Sequence, residues 1–329
     1  MQTILLRSIV STKMADLRVV PGPSATLPLR QLVDDYLSAC RARGLSPRTV
    51  NGAYGYPLRH VFLPFCEAEG ITERAQITGR LLDRLSAQLL DKKTRYGRTM
   101  SKHSVHAYIR AINHLLSWAT REGEPVAVKA QLPRLPKQLV DVLSREEIQA
   151  MEDAAQTERD KLIVRTLADT GIRVGELVAL RPSDLQLQGR SQYLKIRGKG
   201  SRERLVPLPA AVYRRLRRYA DRGRPSDTHS DRLFLALRRS PLATFDALTT
   251  SGVSQLLRVL AVAAGIKKRV HPHLLRHSFA TWALTRGMNP LTLAEILGHS
   301  SLVMIQNVYS HLTPADSYDA LLKVLADEQ

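Results

Sequence analysis

Five short stretches in the second half of the chain carry residue types suited to gripping and transferring a phosphate. TGIRVGEL sets Arg173 at the start of a helix, with Glu176 one turn on. RGKGSRERLVPL carries Lys199 in a glycine-flanked turn. HPHLLRHSFA opens on Pro272, a helix-start signal, so that His273 and Arg276 share one face at i,i+3. EILGHSS puts His299 in the turn after another short helix, and NVYSHLT holds Tyr309. A guanidinium presents paired planar donors that match phosphate oxygens and stays charged at any relevant pH. Two of them with imidazoles could hold the non-bridging oxygens of a phosphodiester as negative charge grows there, taking the place of a metal ion. A phenol with an ordinary pKa near 10 attacks phosphorus only if a base or a cationic setting helps remove its proton.

Each piece also has a plainer reading. Arg173 and Glu176 alone would be a surface ion pair of little worth. His271, His273 and His277 have spacings that zinc could use, but no HExxH motif or cysteine set accompanies them, so no metal is expected. A lone tyrosine packs a helix more often than it reacts. A lone hairpin lysine is usually solvated.

The surrounding sequence shows what must position these groups. Residues 1–26 read as an N-terminal tail, and Met14 is a second candidate start. Residues 27–123 read as a helical domain. Ser46-Pro47 is a helix-start signal, and from Ser101 to Glu122 the residues Val105, Tyr108, Ile109, Ile112, Leu115, Leu116 and Ala119 recur at helical spacing. The opposite face of that helix carries Lys102, His106, Arg110, Asn113 and Ser117. Residues 124–143 hold three prolines and no helical period, as a linker would. The second domain, 144–329, opens with a capping box, Ser144 to Glu147. Helical patterns follow, with Gly171 as a stop, then a β-hairpin from Gln192 to Leu208. A helix carrying Arg214, Arg215, Arg217 and Arg218 comes next, then a polar loop from Asp221 to about Thr250, then further helices. The expected fold is mainly α with a small antiparallel β-sheet.

Lys and Arg total 49 against 30 acidic residues, a formal charge of +19. Such an excess over folded sequence points to a polyanion, with nucleic acid ahead of an anionic membrane surface. No apolar run is long enough to span a bilayer, and the opening MQTILLRSIVSTK lacks a signal-peptide pattern. Cys40 and Cys66 lie in apolar helical patterns and read as packed thiols of a cytoplasmic protein.

Taken in order, TGIRVGEL, RGKGSRERLVPL, HPHLLRHSFATWAL and EILGHSSLVMIQNVYSHL resemble the tyrosine recombinase (phage integrase) family, in its Xer-like and integron-integrase-like forms. The resemblance covers Ser144 to about Leu325 well and reaches the helical domain more loosely, as a core-binding domain. It implies site-specific DNA recombination, by integration or resolution, without metal, ATP or other cofactor. Tyr309 would attack the scissile phosphate to give a 3′-phosphotyrosyl link, with Arg173 and Arg276 clamping the phosphate. Lys199 would protonate the leaving 5′-oxygen, His273 would assist Tyr309, His299 would bond the phosphate, and Glu176 would orient Arg173. The interval from His299 to Tyr309 is one residue longer than in many Xer-like members, and Tyr318 is the fallback nucleophile. The resemblance also implies a homo-tetramer on two duplexes, for which the stripe Tyr318, Leu321, Leu322 and Leu325 could serve.

Lys102, His106, Arg110, Arg214, Arg215, Arg217 and Arg218 are candidate DNA-backbone contacts. Residues before Leu27 are too few for the separate arm-site domain of lambda-like integrases. Topoisomerase-like relaxation of one duplex and a catalytically silent DNA-binding accessory role stand as alternatives. The resemblance also admits accessory proteins as partners.

Overall fold

Leu29, Leu32, Val33, Tyr36, Leu37 and Cys40 recur at helical spacing, and they form the buried stripe of the first helix, α1 (Leu29–Ala42). The computed structural model describes residues 29–93, 97–124, 128–135, 141–198, 203–239 and 244–298. The chain divides into two units, Met1–Lys137 and Gln138–Gln329. That division falls within the proline-containing stretch 124–143. The tail 1–26, Lys199, His299, Tyr309, Tyr318 and the stripe to Leu325 lie outside the described residues.

In the first unit, α1 is followed by two wider π-type turns, Thr49–Gly55 and Leu58–Phe62, and then by α2 (Leu63–Ala68). Ser46 starts this run, its hydroxyl accepting from the Thr49 N–H at 3.2 Å. Then come α3 (Gly79–Asp91), capped by Thr78, and α4 (Lys102–Arg121), capped by Ser101. Ile109, Ile112, Leu115 and Leu116 of α4 pack with Leu32, Phe62 and Leu82 in one core. Cys40 and Cys66 are free thiols within it, and burial pushes the Cys66 thiol up to about 12. Packing, not reactivity, accounts for both.

In the second unit the Ser144–Glu147 capping box starts α5 (Arg145–Asp153). Thr157 caps α6 (Glu158–Thr170), which ends at Gly171 in the left-handed region, and α7 (Val174–Ala179) follows. The sheet has three antiparallel strands: β1 (Leu185–Gln188), β2 (Ser191–Arg197) and β3 (Glu203–Pro207), in that order. The sequence shows β2 and β3. It hides β1, a four-residue strand with one buried side chain, too short to establish a period.

Next comes α8 (Ala210–Arg218). The segment expected to be a polar loop contains a second small sheet, β4 (Leu235–Arg239) paired with β5 (Phe245–Ala247). Its anchor is the run Leu233, Phe234 and Leu235, fully buried in the core, which the polar flanks obscure in the sequence. Helices α9 (Thr250–Ala263), α10 (Pro272–Thr285) and α11 (Pro290–Leu297) complete the described fold. No described helix is long and apolar enough to cross a membrane.

Among the described glycines, Gly171 has the least room for a side chain. Its φ is +60°, and a Cβ there would lie 2.5 Å from the Phe279 ring and 2.8 Å from a Leu297 methyl. Backbone strain and overpacking would act together, so Gly171→Ala is expected to cost about 2–4 kcal/mol. Thermal unfolding should show Tm lower by roughly 5–15 °C. An unchanged Tm would contradict this packing.

Candidate active site

Arg173 caps the short helix α7. The Glu176 carboxylate accepts from the Arg173 backbone N–H at 2.8 Å and from its Nη1 at 3.1 Å. Arg276 comes from α10, whose first turn is fixed by Pro272 at N1 and by the His271 Nδ1, which accepts from the Leu274 N–H at 3.1 Å. The face of α10 that packs on α6 carries Arg276 inward, where 5% of it is exposed, while His273 one turn earlier is exposed.

The two arginines meet at the end of α11. Arg276 Nη1 donates to the Gly171 carbonyl at 2.6 Å and Nη2 to the Leu297 carbonyl at 2.8 Å. Arg173 Nη1 donates to the same Leu297 oxygen at 3.3 Å, and Nη2 to the Gly298 carbonyl at 3.0 Å. A third arginine joins them, for Arg204 Nε donates to the Ile296 carbonyl at 2.8 Å. Three guanidinium groups thus satisfy the last carbonyls of α11, where its dipole favours positive charge. Gly298 ends the helix at φ +64°, and His299 follows it directly in the chain.

Glu176 is the carboxylate among these cations. Burial alone would raise its pKa, but the Arg204 bonds and the Arg173 N–H outweigh it and hold the group below the usual carboxylate range. Arg276 is pushed down to about 10, first by burial and then by repulsion from Arg173, and so remains charged at neutral pH. His271 is lowered by burial, then by His273 and Arg269. Arg173, Arg204 and Arg276 thus crowd three positive charges around the single Glu176 carboxylate and the end of α11.

Of the six residues singled out for catalysis, Arg173, Arg276 and His273 are described, and the arginines share one carbonyl oxygen. Lys199, in the stretch joining β2 to β3, His299 and Tyr309 lie outside the described residues. Arg204 was missed. A signal for it exists, since period-2 alternation in β3 places Arg204 on the face of buried Val206. Among the described residues no group of three or more His, Cys, Asp or Glu is arranged to hold a metal ion.

The proposed DNA-contacting residues fare unequally. Lys102 and Arg110 on α4 are exposed and His106 is half-buried. Asn113, from the same sequence face, is turned to internal work, bonding both the N–H and the C=O of Ala130 at 2.8 and 2.9 Å. On α8, Arg214 and Arg218 are exposed. Arg215 instead reaches Glu158 at 2.8 Å and Glu152 at 2.7 Å, and its pKa is raised chiefly by the Glu158 bonds. Arg217 lies 3.6 Å from Asp221.

The sequence profile of the phage integrase family matches residues 141–316. The chain belongs to that family. As a tyrosine recombinase it has the family's activity, site-specific breakage and rejoining of DNA. The XerD tyrosine recombinase of Chlorobaculum tepidum is 38% identical over 191 residues, 55% of this chain and 60% of that protein. The XerA tyrosine recombinase of Thermococcus onnurineus is 31% identical over 287 residues, 87% of this chain and 92% of that protein. A solved XerH site-specific recombinase, bound to a palindromic difH substrate after cleavage, has the same fold. Its TM-score is 0.67 at 21% identity, covering 89% of this chain and 84% of that one. A Tn1549 transposon integrase in complex with transposon right-end DNA aligns with a TM-score of 0.65 at 19% identity, over 91% of this chain and 100% of that one.

Proposed function

We propose that this tyrosine recombinase cleaves and rejoins double-stranded DNA at specific recombination sites through Tyr309, in the reducing cytoplasm. The observation that carries the reading is the convergence of Arg173 and Arg276 on the Leu297 carbonyl oxygen, at 3.3 and 2.8 Å. Two guanidinium groups this close can hold the two non-bridging oxygens of one phosphodiester. In the reaction the Tyr309 phenol, losing its proton toward His273, forms an O–P bond. The bond to the 5′-oxygen breaks, and that oxygen takes a proton from Lys199. Arg173, Arg276 and His299 stabilise the charge on the pentacoordinate phosphorus. The phosphodiester energy is kept in the phosphotyrosyl link, so rejoining requires no ATP. Attack by a 5′-hydroxyl of a partner duplex then exchanges strands, within a homo-tetramer in which the 314–325 segment joins neighbours.

Lys102, His106, Arg110, Arg214 and Arg218 fit backbone contacts, which position a protein without reading sequence. Arg217, 3.6 Å from Asp221, fits such contacts less well, and Arg215, paired with Glu152 and Glu158, least.

Covalent capture tests the reading. Nicked duplexes with a randomised core, incubated with the full chain, should yield a denaturant-resistant protein–DNA adduct and select the cleavable site. The adduct should form equally in EDTA, since arginines rather than a metal hold the phosphate. Loss of the adduct on chelation would overturn this mechanism in favour of a metal-dependent nuclease. Absence of any adduct would favour a silent accessory role. Relaxation of a single plasmid without exchange between two sites would favour a topoisomerase.

A further inference from the structure

Glu176 is a largely buried carboxylate, its side chain 9% exposed, beside the guanidinium that is to grip the substrate, and left to itself it would compete with the phosphate for Arg173. Its principal partner, however, is Arg204. The Arg204 fork meets it squarely, Nη1 to Oε1 and Nη2 to Oε2, both at 2.9 Å. Such a bidentate pair satisfies the carboxylate in charge and in geometry. Arg173 keeps only one side-chain bond to Glu176, at 3.1 Å, and is the open member of the group. Its side chain is 41% exposed, against 15% for Arg204 and 9% for Glu176.

Arg204 is also held where it is. It pairs across the sheet with Ile196, bonds the Ile296 carbonyl, and lies so close to Gly298 that a Cβ there would be 2.9 Å from its guanidinium carbon. An arginine fixed this firmly cannot follow a substrate; it can only keep its partner occupied.

We propose that Arg204 is a positioning residue that neutralises Glu176 and so keeps the Arg173 guanidinium available to the scissile phosphate. It touches no substrate atom and acts through Glu176. The depressed carboxyl pKa of Glu176 agrees, the Arg204 bonds being the largest influence that lowers it. Without Arg204 the carboxylate would draw Arg173 into a closed pair, which must break before Arg173 can bind phosphate.

The inference rests on the proposed function, and the test separates the two. The rate of adduct formation is measured on the nicked duplex selected by the wild-type chain, and wild-type adduct alone decides whether the functional reading stands. Arg204→Met should slow it by about 100-fold. Adding Glu176→Gln, which keeps the helix cap but removes the charge, should recover at least about tenfold. Arg204→Lys, which keeps a cation without the fork, should lose less than Arg204→Met. A merely structural Arg204 predicts the opposite, a double variant as slow as the single or slower, and that result overturns the proposal. So does an Arg204→Met rate within about threefold of wild type. Should circular dichroism show Arg204→Met unfolded, Arg204→Lys with and without Glu176→Gln makes the same comparison.

Discussion

Tyr309→Phe is expected to abolish the protein–DNA adduct, lowering its rate by on the order of 10⁴-fold or more, while DNA binding is kept. The variant loses one oxygen and almost no volume. An enzyme stripped of its nucleophile loses a whole reaction path, where loss of a supporting group costs only part of the stabilisation. Binding depends instead on the excess of Lys and Arg, 49 against 30 acidic residues, which engages phosphates along the duplex and weakens steeply with salt. Electrophoretic mobility shift on the selected duplex should therefore match wild type at the same ionic strength. Tyr318→Phe, run in parallel, should keep the adduct. An adduct that survives in Tyr309→Phe and vanishes in Tyr318→Phe would move the nucleophile nine residues along the chain.

What the sequence made legible follows from which signals are local. The Ser144 cap, the helix beginning at Ser101, the Gly171 stop and the α4 stripe each lie within a few residues of the structure they dictate, and all could be read. The arginine pair was legible as chemistry, because Arg173 and Arg276 each stand in a motif of their own. Their meeting at Leu297 O was not, since it joins residues over 100 positions apart through a backbone oxygen that leaves no trace in side-chain identity. Arg204 was overlooked for a related reason: in a basic run such as SRERL it looks like one more solvated charge, and only its strand register turns it inward. Arg215 shows the converse. The RRLRR run reads as a uniform basic face, yet Glu152 and Glu158 on neighbouring helices draw one member out of it. Charge runs declare net charge; partners across the fold decide which charges remain for a ligand.

Arg276→Met is expected to cost activity without costing the fold. The wild-type guanidinium is kept in a site where burial and Arg173 push its pKa down to about 10. Against an ordinary value near 12.5 that is a stability penalty on the order of 3 kcal/mol at neutral pH. The cation carries a depressed folded-state pKa, so the penalty is present in full below about pH 10 and shrinks only as the pH rises beyond it. Methionine removes this penalty at similar volume but gives up the 2.8 Å bond to the Leu297 carbonyl, which keeps its Arg173 donor, and leaves the Gly171 carbonyl without the 2.6 Å bond, a loss of about 1–3 kcal/mol. The two effects nearly cancel, so Tm should stay within a few degrees of wild type. Adduct formation has no such compensation. Loss of one donor aimed at the developing charge slows comparable reactions by about 10²–10³-fold, and here the donor is also a full charge. Arg276→Lys should fall in the same range, because an ammonium cannot bond the Gly171 and Leu297 carbonyls and still face a phosphate. A lysine variant with near wild-type rates would mean that charge alone suffices and that the fork geometry at Leu297 is incidental.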